Sequence, residues 1–252
     1  MARKSAKILT KPANHRQNSN NTRDRQGIVW SPSVGSVESV VSLATPWGID
    51  VSHHQGDIDW AMVRQQGVNF AFMKATEGGT YVDPKFKLNW KEAKAHGIRR
   101  GAYHFFRPKS DLVAQIDNFS RVLGGVEVGD LPPVIDTEVP ADWSRLNSKQ
   151  SVDLIVGFID GIRKNLGAKV HPIVYLSPSF ADDVLKNDSR LKEYPLWVAH
   201  YTAADRPRVP KPWDFWTFWQ FTENGTVAGI KGNVDINRFN GQADRLEALL
   251  VK

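Results

Sequence analysis

Asp136 and Glu138 stand one residue apart at the end of a short apolar run, Leu131-Pro-Pro-Val-Ile-Asp-Thr-Glu138. Proline supplies no ladder donor and sits best at a strand's start, so Val134–Asp136 is predicted as a brief buried strand with Thr137 and Glu138 at its exit. Side chains alternate along a strand, which turns both carboxyls the same way with Cα atoms roughly 6.8 Å apart. Two carboxyls in one site cannot ionise independently. Their pKa values are driven apart into one proton donor and one anion, the requirement of acid-assisted glycosidic cleavage. Taken alone, the pair also reads as a strand-end Asp capping the next turn beside a solvated Glu.

The surrounding pattern supplies elements that can position such a pair. After Trp47, apolar strand-like runs alternate with segments of helical period. Strands are predicted over 48–52, 69–76, 100–106, 134–136 and 171–177. The intervening helices are marked by Asp59 as a cap ended by Gly67, by Asp83-Pro84 with Phe86, Trp90 and Ala93 on one face, and by Ser110 as a cap with Val113, Ile116 and Phe119 toward the core. A longer helix begins at Ser148, with Val152, Ile155, Val156, Ile159 and Ile162 on its stripe and Gly167 beyond its end. Segments 196–202, 215–222 and 234–239 read as strands joined by loops too short for helical crossovers. The expected fold is therefore α/β, an irregular TIM-like β/α barrel, regular in its first five strands and short-looped in its last three. A doubly wound open sheet is the alternative.

Charge divides the chain of 252 residues unevenly. Residues 1–26 carry seven Lys or Arg against one acid, Asp24, which accounts for the whole net charge of +6. Residues 1–46 are expected to be a basic, disordered tail and linker, and 47–252 the catalytic barrel. A nucleic-acid groove in the barrel gains no support from the charge. With no cysteine, disulfide and thiolate chemistry are excluded. No run is long and apolar enough to span a membrane, and no standard signal peptide is visible.

The strands of the first half end in reactive or ring-shaped residues: Asp50 with His53 and His54, Lys74 with Thr76 and Glu77, Tyr103 with His104, Asp136 with Glu138, and Tyr175. Later strands add Trp197, His200 and Tyr201, then Trp219 and Gln220, then Asp235 and Asn237. Barrel enzymes carry their sites at the carboxyl ends of the strands, so these groups are expected to share one mouth. Aromatic faces stack on sugar rings while carboxylates and amides take hydroxyls. The four strand-end histidines raise a metal-dependent hydrolase as another reading, but no His-x-His or helical His-x-x-x-His pair occurs, and His53 and His54 on a strand would point to opposite faces. No metal and no cofactor is expected, since P-loop and dinucleotide fingerprints are also absent.

Gly48-Ile-Asp-Val-Ser-His-His-Gln-Gly56, Lys74-Ala-Thr-Glu-Gly78, Gly101-Ala-Tyr-His-Phe105, Asp136-Thr-Glu138, Trp197-Val-Ala-His-Tyr201, Trp219-Gln220 and Val234-Asp-Ile-Asn237 together resemble the lysozymes of glycoside hydrolase family 25. The resemblance runs from about Trp47 to Asn240. It implies an irregular β/α barrel that cleaves the β-1,4 bond between N-acetylmuramic acid and N-acetylglucosamine in peptidoglycan, with retention of configuration and without a cofactor. It implies Glu138 as general acid, with Asp136, Asp50 and Asp235 as the other site carboxylates, and it leaves open whether a carboxylate or the substrate's acetamido group attacks. Tyr103, Tyr175, Trp197, Tyr201 and Gln220 are the accompanying sugar-binding candidates. The expected partner is the glycan strand of the bacterial wall, met outside the cell or in the periplasm by a monomer. A barrel that binds wall glycan without cutting it is the competing class, and a scaffold whose basic tail is the functional part is a third.

Overall fold

The computed structural model describes residues 45–167 and 170–252. The tail and linker expected over 1–46 lie, apart from Thr45 and Pro46, outside the described residues. Nine strands form one sheet: β1 (Trp47–Val51), β2 (Phe70–Glu77), β3 (Tyr81–Val82), β4 (Arg99–Phe105), β5 (Val134–Asp136), β6 (Ile173–Leu176), β7 (Leu196–Ala199), β8 (Phe218–Gly225) and β9 (Val234–Phe239). Their order is β1-β9-β8-β7-β6-β5-β4-β2-β3, and β1 also pairs with β2, so eight strands close into a barrel with β3 as a two-residue appendage. The closed β/α barrel replaces the open-sheet alternative. Ladders from β1 through β2, β4, β5, β6 and β7 to β8 are parallel. β9 runs antiparallel to both β8 and β1. This reversal follows from the short 226–233 connection, which can return the chain only as a hairpin.

The helices are α1 (Trp60–Gln65), α2 (Phe86–Ala95), α3 (Leu112–Leu123), α4 (Ser148–Leu166), α5 (Pro178–Phe180) and α6 (Ala243–Leu249). Asp59 caps α1 by accepting the Met62 N–H, and Asn147 forms a capping box with Gln150 ahead of α4. Two expectations are corrected at α3. Asp111, not Ser110, is its cap, accepting the Ala114 N–H, because the Ser110 hydroxyl instead takes the Gly79 N–H at 3.0 Å. Val113 does not face the core; it is 62% exposed, while Phe119 is buried as expected and the polar Gln115 and Asn118 are buried with it. α2 begins at Phe86, later than Asp83-Pro84 implied; Asp83 still accepts the Lys85 N–H but also holds His53.

Two apolar cores result. One packs the outward strand faces against the helices, with Ile49, Ile135, Val174, Val198, Val152, Ile155 and Phe158 among its members. The other fills the barrel, built from Phe70, Phe72, Leu131, Val134, Ile173, Tyr175, Trp197, Phe218 and Phe239, with Leu246 and Leu250 added from the chain end. The Arg99–Glu247 ion pair sets α6 at the amino-terminal end of β4, away from the mouth. Gly48 and Gly101 admit the large rings: a Cβ at either position would come within 2.5 Å of Phe70 or Phe72 atoms. Fully burying such a ring contributes about 1.5–3 kcal/mol, which explains bare backbone beside it.

His104 is not at the mouth, contrary to expectation. Alternation turns it outward from β4 into a buried network, where its Nε2 lies 3.1 Å from Gln115 Oε1 and its Nδ1 2.7 Å from Thr76 Oγ1. Gln115 donates to the carbonyls of Arg107 and Ser110 and accepts the Arg107 N–H. Its Oε1 is therefore an acceptor, so His104 carries its proton on Nε2 and accepts the Thr76 hydroxyl on Nδ1. Burial holds this imidazole down to about 4, against its ordinary 6.5. The unfolded chain takes up a proton near pH 6.5 and the folded chain only near 4, so stability is lost as pH falls through that window, by up to about 3 kcal/mol from this group. Urea unfolding at pH 7 and pH 4.5 should find that loss in the wild type and a smaller one in His104→Gln; equal losses would refute it.

Candidate active site

Inside the barrel, five of the strands present an apolar residue or glycine low and a polar one two positions toward the mouth. Gly48 is followed by Asp50, Gly101 by Tyr103, Val134 by Asp136, Ile173 by Tyr175 and Phe218 by Gln220. On the reversed β9 the order is inverted, with Asp235 and Asn237 preceding Phe239. Asp50 and Asp235 are direct cross-strand neighbours. The mouth holds a cavity of about 310 Å³ lined by Asp50, Tyr103, Asp136, Glu138, Tyr175, Trp197, Tyr201, Gln220 and Asp235, so all nine candidate site residues are brought together. Lys74, His54, Gln55, Ser52, Val51, Phe105 and Glu223 complete the wall. Trp219 and His200 do not join it. The Trp219 indole points away and donates to the His200 carbonyl at 2.8 Å, while His200 Nδ1 accepts the Arg208 N–H.

Two bulges account for residues that plain alternation misses. Lys74 faces the cavity by alternation after Phe70 and Phe72, and a register shift between Lys74 and Thr76 turns Thr76 out to His104 and brings Glu77 back to Lys74. A second shift between Gln220 and Thr222 brings Glu223 to the wall. His53 and His54 are not on a strand but in a 3-10 turn capped by Ser52, with ring centroids 4.0 Å apart rather than on opposite faces.

The electrostatics fall into two carboxyl pairs. Burial raises Asp136 well above its ordinary value, with the charge of Glu138 next in weight. Glu138 is also raised by burial, a shift opposed by its hydrogen bond to Asp136 and by the charges of Lys74 and Arg107. Both carboxyls therefore hold a proton above the ordinary carboxylate range, and Asp136 Oδ1 is buried without a hydrogen-bond partner among the described residues. Asp50 is raised by burial and by Asp235, and Asp235 is raised by burial. Burial and the same carboxylates hold the Tyr103 and Tyr175 hydroxyls far above the phenol range, so both remain donors at working pH.

Asp50 is held by two amides whose orientation is fixed from behind. Trp197 Nε1, which can only donate, gives its proton to Asn237 Oδ1 at 2.7 Å, so the Asn237 amide must turn its Nδ2 to Asp50 Oδ2, also at 2.7 Å. Tyr175 and Tyr201 both donate to Gln220 Oε1, at 2.9 and 2.7 Å, so Gln220 Nε2 faces the same Asp50 oxygen at 2.9 Å. Tyr175, Trp197, Tyr201 and Gln220 thus act through Asp50 as well as lining the wall. Hydrogen bonds to a charged group contribute about 1.5–3 kcal/mol each. Asn237→Asp and Gln220→Glu, which replace the amide donor facing Asp50 with a carboxyl oxygen of nearly the same shape, should each lower kcat/KM about 10- to 100-fold and move the acid limb of the pH profile upward. An unchanged acid limb would show that Asp50's charge is not set by these amides.

A closed β/α barrel whose mouth gathers paired carboxyls with tyrosines and tryptophan is the architecture of a carbohydrate-cleaving enzyme. Comparison with known proteins makes the class specific. The profile of Glycosyl hydrolases family 25 matches residues 49–230. The chain is 37% identical over 235 residues to lysozyme M1 of Streptomyces globisporus, covering 90% of this chain and 79% of that protein. It is 29% identical over 216 residues to an N,O-diacetylmuramidase of Chalaropsis, covering 81% of this chain and 99% of the other. A bacterial lysozyme from Streptomyces coelicolor superposes with a TM-score of 0.77 at 37% identity, covering 82% of this chain and 97% of that one. A muramidase from Trichobolus zukalii superposes at 0.74 and 31% identity, covering 81% and 98%. The chain belongs to glycoside hydrolase family 25, and it is a glycoside hydrolase of the lysozyme type.

Proposed function

We propose that the enzyme hydrolyses the β-1,4 bond between N-acetylmuramic acid and N-acetylglucosamine in bacterial peptidoglycan, with Glu138 as general acid. The observation that carries the assignment of roles is the buried Asp136–Glu138 pair, in which Glu138 is the less enclosed partner and both are raised. A proton held above the usual carboxylate range on the more accessible carboxyl suits donation to a glycosidic oxygen at neutral pH. Asp136 keeps that proton on the pair. Asp50, oriented by Gln220 and Asn237, supplies negative charge to the oxocarbenium-like centre, with Asp235 beside it.

Tyr103, Tyr175, Trp197 and Tyr201 give the sugar ring flat faces and hydroxyl donors. Among the described residues no helix is long and apolar enough to cross a membrane, and the reading places the enzyme's action on the wall outside the cell or in the periplasm, as a monomer. The clustered carboxyls favour cleavage over glycan binding alone, since a binder gains nothing from charges that repel one another. Purified bacterial walls should lose turbidity with release of new reducing ends. Binding of the protein to sedimented walls without any reducing ends would support the non-catalytic alternative instead.

A further inference from the structure

Beside the catalytic cavity lies a second one of about 460 Å³, lined by His53, His54, Lys74, Glu77, Gly78, Gly79, Thr80, Tyr81, Arg107 and Ser110. The two share Lys74 and His54 as a common wall. Their polarities differ across that wall. The catalytic side carries five carboxyls (Asp50, Asp136, Glu138, Glu223 and Asp235). The second side carries one, Glu77, with Lys74 and Arg107 as its cations.

Glu77 braces these cations in place. Lys74 Nζ donates to Glu77 Oε2 at 2.6 Å, and Arg107 Nε and Nη2 donate to Oε1 at 2.8 and 2.6 Å. Arg107 Nη1 reaches Asp142 at 2.9 Å. An ammonium has three N–H donors and a guanidinium five, so these bonds leave each cation further donors for a ligand. Both cations also lie over the Phe105 ring, Lys74 at 4.8 Å and Arg107 at 4.4 Å. The His104–Gln115 network fixes the Arg107–Ser110 loop through its backbone. This is a rigid, donor-rich pocket continuous with a sugar site, and its chemistry fits carboxylates and peptide carbonyls better than sugar hydroxyls seeking acceptors.

We propose that this second cavity receives the acidic peptide borne by the muramic acid unit of the strand being cleaved. The proposal rests on the peptidoglycan reading above and adds to it a preference for peptide-bearing over bare glycan. Thr80 is exposed on the cavity wall and outside the catalytic machinery, so its charge can be changed without touching the core. Cleavage would be measured on soluble glycan strands that carry their stem peptides and on the same strands after an amidase has removed them.

Wild type should favour the peptide-bearing strands. Thr80→Glu should lower kcat/KM on them about fivefold and Thr80→Lys should raise it, both effects shrinking as salt rises, because exposed charges are screened over roughly 10 Å at 0.1 M. Both variants should stay within about twofold of wild type on stripped strands. Glu and Lys variants that change both substrates alike, or that change neither, would overturn the peptide site while leaving the glycosidase reading standing. A wild type that cleaves neither substrate would instead overturn the peptidoglycan reading, and this proposal with it.

Discussion

Glu138→Gln should reduce turnover on walls by about 10³- to 10⁴-fold while leaving fold and glycan binding nearly intact. General acid catalysis supplies about 10²- to 10⁴-fold, and protonation of a sugar leaving group belongs at the upper end. The amide keeps the volume of the carboxyl and loses only the transferable proton. The neighbouring shell should stay in place, because the Glu138 carbonyl is held by Trp143 Nε1 at 3.0 Å independently of the side chain. Val139, the next residue, has a φ of 54°, uncommon for a β-branched residue, so the chain bends sharply where the acid emerges. Circular dichroism and sedimentation with walls should match wild type, and a residual rate above a tenth of wild type would remove Glu138 from the role.

Asp136→Asn should also cost at least about 10²-fold in kcat, and it should move the alkaline limb of the residual pH–rate profile to lower pH. Burial raises both carboxyls. Within the pair the Glu138 charge raises Asp136 while the Asp136 hydrogen bond lowers Glu138, and because the two titrate together the pair's last proton comes off against the charge of the carboxyl that ionises first. Removing that charge makes Glu138 easier to ionise. Stability should respond in the opposite sense to activity. A buried carboxyl whose pKa is raised on folding binds its proton more tightly in the folded state, so it costs stability as pH rises from the ordinary carboxylate range through the raised value. At pH 7 the Asn variant should melt a few degrees higher than wild type, a difference that vanishes near pH 4 where both forms are neutral. An unshifted alkaline limb together with an unchanged melting temperature would mean that the two carboxyls do not share a site.

Much of this was legible in the chain because a barrel lumen obeys a period of two. Asp136 and Glu138, and the strand-end positions of Asp50, Tyr103 and Tyr175, follow from alternation, and the structure brings them to one cavity. The same rule turned outward hides His104, which looked like a mouth residue next to Tyr103 but faces the helices. Bulges were not legible. The shift at Lys74/Thr76 decides that Thr76 turns out to His104 and that Glu77 can brace Lys74, and nothing in Lys-Ala-Thr-Glu marks an extra residue. The role of Asn237 depends on Trp197 reaching it from β7 over the intervening β8, a contact spanning 40 residues that only the pairing of β7, β8 and β9 creates. The cap of α3 was misjudged by one residue because Ser110 and Asp111 are both good caps, and the choice is made by Gly79, whose N–H occupies the serine. The terminal α6 escaped notice because seven residues with no side-chain cap carry too little period to read.

The most direct measurement of the central claim is the identity of the sugar at the new reducing end. Walls digested by wild type and by Glu138→Gln are reduced with borohydride, hydrolysed, and the reduced amino sugars separated. The account predicts reduced muramic acid from the wild type, in amounts that rise with digestion time, and almost none from Glu138→Gln. Reduced glucosamine as the product, or equal yields from both proteins, would contradict it.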